Sequence, residues 1–432
     1  MTTFTAETFQ NEYLPSGGTH VNAIITIRAD GAAYAASPSI GARWPSPDRI
    51  AVVIIIDVSG SMGAPASKIK AARKATSAAI DCLSDGVLFA VVAGSDVARP
   101  VYPAQFLAPA TEKTRSAAKL ALRRVRAGGG TAMSTWLGTT RELLIPHEGL
   151  IRQVILLTDG HNEGERRSEL EAAVKRCEGV FRCDCRGVGT DWSIDELRMI
   201  ATTLLGSVDI VAEPHEMPAD FESIVRQTMS RHTASVSLRV SVPPGASTQF
   251  VKQVAPTIED LTERGSRVDD RTIDYPLGAW GTEERDYHIG LSVTPHAVGD
   301  EMLAARVSVV SNGETVARSQ IRAIWTDDPA TSTVLNARVA HYTGQQELAS
   351  VIAEGLEARA AGDGTTATHK LGRAAQLAAA SGHDGTLKLL ERVVEIEDAA
   401  SGTVRLKRQV AVADEMALGT RSTKTVRVRP GG

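Results

Sequence analysis

Residues Ile50–Met62 read IAVVIIIDVSGSM. An unbroken apolar run, Ile50–Ile56, ends at an acid, Asp57, and passes into a turn of glycine and hydroxyl side chains. A strand that is apolar on both faces suits a parallel sheet covered by helices on both sides. The run is far short of the ~20 residues that cross a bilayer. The next segment supports this reading. Over Ser67–Leu83 the residues Ile69, Ala72, Ala75, Ala79 and Leu83 fall on one helical stripe, with Lys68, Lys70, Arg73 and Lys74 mostly off it. The alternation then continues. Strands are predicted at Val87–Ala93, Arg152–Thr158, Phe181–Val188 and Val208–Val211. Helices are predicted at Thr111–Arg124 (Ala117, Leu120 and Ala121 inward), Ser134–Ile145 (Trp136, Leu137, Thr140 and Leu144 inward), Ser168–Cys177, Asp195–Thr203 and Pro218–Met229. Strands alternating with helices predict an α/β doubly wound, mostly parallel sheet.

On both sides of this region the period changes to two. Val21, Ala23, Ile25 and Ile27 alternate with a mostly polar set, which predicts a half-exposed strand. The same alternation returns at Val236–Val242, Tyr287–Val293, Leu303–Val309 and Ile321–Trp325. The expectation is a β-sandwich completed by the N-terminal strand, with the α/β domain inserted into it. Beyond Asp327 the period is helical, over Gln345–Ala360, Thr366–Ala380 and Gly385–Glu397, which predicts a small helical bundle. The expected organisation is 1–48, N-terminal strand and a connector at Trp44-Pro45-Ser46-Pro47; 49–231, α/β domain; 232–326, sandwich; 327–400, bundle; 401–432, C-terminal segment. Its tail from Gly419 is expected to be mobile, because it lacks apolar periodicity.

Composition narrows the function. The chain has 432 residues, 43% hydrophobic and 23% charged, which excludes global disorder. The formal net charge of −4 argues against a nucleic-acid partner held by bulk charge. Four cysteines in so long a chain make no disulfide framework. No basic and apolar leader stands at the N-terminus, so the expected setting is the cytoplasm, with no integral membrane segment.

The chemistry concentrates where strands end. Asp57, Ser59 and Ser61 place a carboxylate and two hydroxyls on one turn, and Gly60 permits the tight backbone. Thr131 follows Gly128-Gly129-Gly130 at a loop-to-helix junction, and Asp159 ends the strand Arg152–Thr158. Hard oxygen donors at the C-terminal ends of parallel strands suit Mg²⁺. A cation held largely by neutral hydroxyls keeps much of its charge and attracts an incoming carboxylate.

DVSGSM, GGGTAM and LLTDG, in this order and inside βα alternation, resemble the von Willebrand factor type A (VWA) domain over about residues 49–231. The family's metal-ion-dependent adhesion site matches at Asp57, Ser59, Ser61, Thr131 and Asp159. The resemblance implies that Ser59, Ser61 and Thr131 touch the ion directly, while Asp57 and Asp159 mostly hold its waters. It implies Mg²⁺, with Mn²⁺ or Ca²⁺ as alternatives, and an open position for an exposed Asp or Glu of a protein partner. The layout resembles bacterial cytosolic multi-domain VWA proteins, some associated with stress response, forkhead-associated-domain proteins and Ser/Thr kinases. Thr420, Ser422, Thr423 and Thr425, expected to be mobile among Arg421, Lys424, Arg427 and Arg429, are candidate kinase substrates. The expected function is a non-enzymatic, metal-dependent scaffold.

Three other functions compete. Asp57 at a strand end is a candidate nucleophile for Mg²⁺-dependent phosphoryl transfer, although Ser59 stands where phosphatases of the haloacid dehalogenase type carry their second Asp. A co-factor of a separate ATPase and a membrane-stress scaffold are the others. No Gly-Lys-Ser or Gly-Lys-Thr occurs, which argues against a nucleotide site. Cys183 and Cys185 share one strand face and read as structural. Arg123, Arg124 and Arg126, before the Gly-rich loop, read as a solvated helix end, with contact to an acidic partner or phosphate as the alternative.

Overall fold

A computed structural model describes residues 2–30 and 49–427. The connector Trp44–Pro47 and the last residues, Arg429 included, lie outside the described residues. The chain divides into two compact units, Tyr34–Ala234 and a second built from Met1–Ala33 with Ser235–Gly432.

In Tyr34–Ala234 the apolar run becomes the strand Ile50–Asp57, buried at every position. Ile54 lies opposite Val91 on one side and Ile155 on the other, both in parallel register. The sheet order is Val208–Val211, Arg182–Val188, Ile151–Thr158, Ile50–Asp57, Leu88–Gly94 and Arg99–Tyr102. Only the segment Arg99–Tyr102 and the short piece Ala108–Pro109 run antiparallel, both against Leu88–Gly94. Pro100 removes a ladder donor, which fits an edge. The helix Ser67–Asp81 packs with Met217–Met229 and Glu112–Leu122, while Met133–Leu144 packs with Arg167–Cys177. Burial of both strand faces is what the continuous apolar sequence demands. One helical stripe departs from expectation. Ala118 and Leu122 face inward in Glu112–Leu122, whereas Leu120 is 54% exposed. This short helix lies over the edge strand Arg99–Tyr102, so only a narrow i, i+4 strip is covered.

The second unit holds two sheets. One is the antiparallel set Thr3–Gln10, His20–Asp30, Glu283–Val293, Ala246–Ala255 and Glu259–Asp260. The other is Ser266–Asp269, Thr272–Trp280, Thr233–Ser241, Glu301–Ser311, Glu314–Thr326 and Tyr13–Pro15. His20–Asp30 is not half-exposed. Ala23 through Ile27 are all buried, because the helix Ala337–Ala360 covers its second face. Val339 and Tyr342 of that helix join Ile24, Val254 and Ala255 in one cluster. The Tyr342 hydroxyl donates to Asp286 Oδ2 at 2.5 Å, Thr26 Oγ1 donates to Asp286 Oδ1 at 2.6 Å, and an Arg338 guanidinium nitrogen lies 2.9 Å from Thr26 Oγ1.

The helices Ala337–Ala360, Gly364–Ala380 and Asp384–Val393 enclose Leu348, Ile352, Leu371, Ala375 and Leu390. The third was expected to reach Glu397, yet the chain turns to strand at Val394 and forms a hairpin, Val394–Asp398 with Thr403–Leu406. Val393, Val394 and Ile396 are β-branched, which favours the change. The mobile tail is also corrected. Gly419 lies inside a helix, Val412–Arg421, whose Leu418 joins the helical core. Thr420 and Ser422 are buried, and Thr425 N donates to Pro256 O at 3.0 Å. Buried hydroxyls are poor kinase substrates, so the phosphorylated-tail expectation is withdrawn for Thr420 and Ser422.

Candidate metal centre

Three loops meet at the C-terminal end of the parallel sheet. Asp57, the last residue of the central strand, is fully buried. Its Oδ1 accepts from Ser59 N at 2.7 Å and its Oδ2 from Thr158 Oγ1 at 2.6 Å. Burial raises the pKa of this carboxyl, and the hydrogen bonds from Ser59 and Thr158 work against that rise. The Asp57 side chain therefore shapes its own loop and ties it to the neighbouring strand. Backbone bonds finish the arrangement. Gly60 N donates to Gly129 O at 2.9 Å and Gly128 N to Val58 O at 2.7 Å. Gly129 has φ +90°, and a Cβ there would collide with Asp96 Oδ1, so only glycine fits.

The hydroxyls converge on one point. A Cβ built on Gly160 would sit 3.4 Å from Ser61 Oγ and 3.7 Å from Thr131 Oγ1. Ser59 Oγ and Ser61 Oγ are 2.9 Å apart, and Ser61 Oγ donates to Asp159 Oδ1 at 2.7 Å. The Thr131 hydroxyl takes no hydrogen bond among the described residues. Asn162 Oδ1 accepts from Met133 N at 2.9 Å, which fixes the helix start after Thr131 against the Asp159 loop. The structure thus brings Ser59, Ser61, Thr131 and Asp159 to one cradle, with Asp57 beneath it. Among the described residues no group of three or more His, Cys, Asp or Glu could hold a metal ion. Any ion here would meet a set rich in hydroxyls, all of them oxygens, and the space that glycine leaves at position 160 gives it room.

Three participants were not anticipated. Thr158 holds Asp57, but it looked like one more residue of a buried strand. Gly160 leaves the cradle open. Lys68 Nζ lies 2.7 Å from Asp159 Oδ2, so one cation already faces this carboxylate. The only signal for Lys68 was its place in the first turn of the helix that follows the DVSGS loop. His161 is exposed, and Arg124 and Arg126 lie to one side of the cradle, on a separate cavity wall. Cys183 and Cys185 are buried, with sulfurs 3.8 Å apart on one strand face.

A doubly wound sheet with hydroxyl-bearing loops at the ends of its central strands defines a class of interaction domain. A family profile described as the von Willebrand factor type A domain matches residues 50–210, and one described as the von Willebrand factor type A C-terminal domain matches 376–422. The structure of a von Willebrand factor type A protein from Catenulispora acidiphila is 44% identical, with 99% of this chain and 98% of that chain covered and a TM-score of 0.92. The chain belongs to the von Willebrand factor type A family. The ArnB paralog VWA2 from Sulfolobus acidocaldarius shares the fold at 12% identity, with 98% and 99% covered and a TM-score of 0.60. No curated protein matches the chain.

Proposed function

We propose that this chain is a non-enzymatic interaction scaffold whose α/β unit binds a divalent ion, Mg²⁺ foremost, through Ser59, Ser61 and Thr131, with Asp57 and Asp159 behind them. VWA domains generally serve as protein-interaction modules, and the described residues include no helix long and apolar enough to cross a membrane. The observation that carries the metal is the meeting of Ser61 Oγ and Thr131 Oγ1 over Gly160. A bound divalent ion supplies positive charge for an acidic side chain of a partner. The chain's own part is to hold the hydroxyls preorganised, through the Asp57–Ser59 and Gly60–Gly129 bonds, and to leave one side of the cradle open. Phosphoryl transfer at Asp57 is disfavoured, because both its oxygens already accept hydrogen bonds in a fully buried position. We read the α/β unit as inserted between His20–Asp30 and Thr233–Ser241 of a two-sheet sandwich that the C-terminal helices flank.

Isothermal titration of the full chain with Mg²⁺ and Mn²⁺ tests the metal. Saturable binding is expected, and Ser61→Ala or Gly160→Ala should weaken it at least about tenfold, about 1.4 kcal/mol. The Gly160 methyl meets its neighbours at ordinary contact distance, so the fold should survive it. Binding unchanged in both variants would remove the proposed site.

A further inference from the structure

The Gly-rich loop has two sides. One faces the cradle. The other, with Val58, Asp96, Arg99, Arg124, Arg126 and Gly129, lines an open cavity of about 440 Å³. The shared wall is fixed by the bonds Gly60 N to Gly129 O and Gly128 N to Val58 O, so the cavity and the cradle keep one spacing.

The charge on this cavity is unbalanced. Three guanidiniums face one carboxylate, Asp96. Among the described residues none of the three arginines makes an ion pair. Arg126 spends only one terminal nitrogen, on the carbonyls of Arg123 and Val125 at 2.9 and 3.2 Å. Arg73 adds a fourth like charge close by. Its Nε is buried without a partner, and burial followed by the field of Arg126 lowers its pKa. Several other arginines of the unit are paired, as Arg115 with Asp85, Arg166 with Glu169, Arg167 with Glu171 and Arg186 with Asp220, while Arg141 and Arg152 reach only backbone carbonyls. Unneutralised like charges repel, and a concave wall focuses their field on anions. Guanidinium forks match carboxylates in a bidentate way.

We propose that this cavity receives a second acidic side chain of an extended partner segment whose first acidic side chain is taken at the cradle. This rests on the metal reading for the first carboxylate only. An extended chain advances about 3.3 Å per residue and alternates its side chains, so two adjacent acids point to opposite sides and can address both sides of the loop. The partner chemistry is therefore an exposed acidic stretch. Apolar lining from Val97, Val101, Ala121 and Val125 suits side-chain stems and peptide backbone better than a bare polyanion.

Fluorescence polarisation of the full chain with a fluorescein-labelled oligoglutamate peptide tests this, in Mg²⁺ and in EDTA, at low and high salt. Arg124→Glu with Arg126→Glu should weaken binding about tenfold or more, most strongly at low salt, as expected for complementary charge. Lys175→Glu with Arg176→Glu, exposed at the far end of the helix Arg167–Cys177, should leave it unchanged. Arg124→Gln with Arg126→Gln should give a smaller loss in the same direction if the reversal disturbs folding. Equal binding by the cavity variants and the distant control overturns the proposal, as does equal binding of an oligoglutamine peptide. So does tighter binding of a single-stranded oligonucleotide than of oligoglutamate. Loss with the arginine variants but not with EDTA or Ser61→Ala keeps the cavity and removes the metal reading. Loss with EDTA but not with the arginine variants does the reverse.

Discussion

Lys68→Met puts the electrostatics of the cradle to a quantitative test. Lys68 Nζ is 2.7 Å from Asp159 Oδ2; the lysine side chain is 13% exposed and the aspartate side chain 0%. Its second contact, Asp191 Oδ2 at 3.8 Å, is on an exposed side chain and counts for little. Removing one partner of a buried pair usually costs about 3–5 kcal/mol, since the other charge is left uncompensated. Asp159 keeps the hydrogen bond from Ser61 Oγ, so a loss nearer about 2–3 kcal/mol is expected without divalent ions. For a unit of this size that lowers its melting midpoint by roughly 5–10 °C. An ion in the cradle replaces the lost positive charge. Saturating Mg²⁺ should therefore restore much of the stability, and Lys68→Met should bind Mg²⁺ more tightly than the parent, by about tenfold. Differential scanning fluorimetry in EDTA and across a Mg²⁺ series reads the first effect, and isothermal titration reads the second. An identical Mg²⁺-induced shift in both proteins, or weaker binding by the variant, would refute the idea that the lysine and the ion compete for one carboxylate.

Three further outcomes are expected. His288 is buried between Asn22 Oδ1 at 3.0 Å and the Gln346 amide at 3.1 Å, and burial, with Lys252 adding to it, brings its pKa from 6.5 down to about 4. The unfolded chain then binds more protons across that interval, so stability should fall by about 2 kcal/mol between about pH 7.5 and pH 5, and His288→Gln should flatten this slope in urea unfolding. Burial opposes ionisation of Asp184, but Arg182, Arg186 and Arg231, with the Ser207 hydroxyl, hold its carboxyl down to about 2. Its stabilisation is present above the ordinary 3.8 and disappears as pH falls through about 2; Asp184→Asn should cost about 3 kcal/mol at neutral pH, and a neutral result by calorimetry would deny the network this role. Of the four cysteines only Cys82 is not buried, so a thiol reagent should modify that position alone in native protein and all of them after unfolding; fast labelling of native Cys82→Ser would contradict the packing.

The parts of the site that could be read from sequence are those whose residue types do something unusual for their place. A carboxylate ending an apolar strand, hydroxyls in a glycine turn, and a Thr after three glycines all break the local pattern, and the structure gathers Asp57, Ser59, Ser61, Thr131 and Asp159 at one sheet end. Lys68 and Thr158 were hidden because each conforms to its element. A lysine beside an amphipathic stripe and a β-branched residue in a buried strand carry no local sign of their partners. The same limit operated on the fold. Ile50–Asp57 was legible because both faces are apolar. The strands Thr3–Gln10 and Ala246–Ala255 were missed because their sequences, TFTAETFQ and ASTQFVKQVA, alternate only weakly. At His20–Asp30 the alternation suggested a wet face, yet Ile24 and Thr26 are covered by a helix more than three hundred positions away, as the Arg338–Thr26 contact shows with a separation of 312. Sequence periodicity reports on a strand, and not on what later chain will cover it.

That separation bears on the order of events during synthesis. Thr26 meets Asp286 across 260 positions, whereas the α/β unit is one continuous stretch. At about 5–20 residues per second, the hairpin of Thr3–Gln10 and His20–Asp30 leaves the ribosome on the order of ten to fifty seconds before Glu283–Val293, the other neighbour of His20–Asp30, is made. Before that delay ends the unit Tyr34–Ala234 has all its own residues, while the hairpin ahead of it still has an open edge. Every nascent copy thus carries one unfinished sheet edge until that later strand is made.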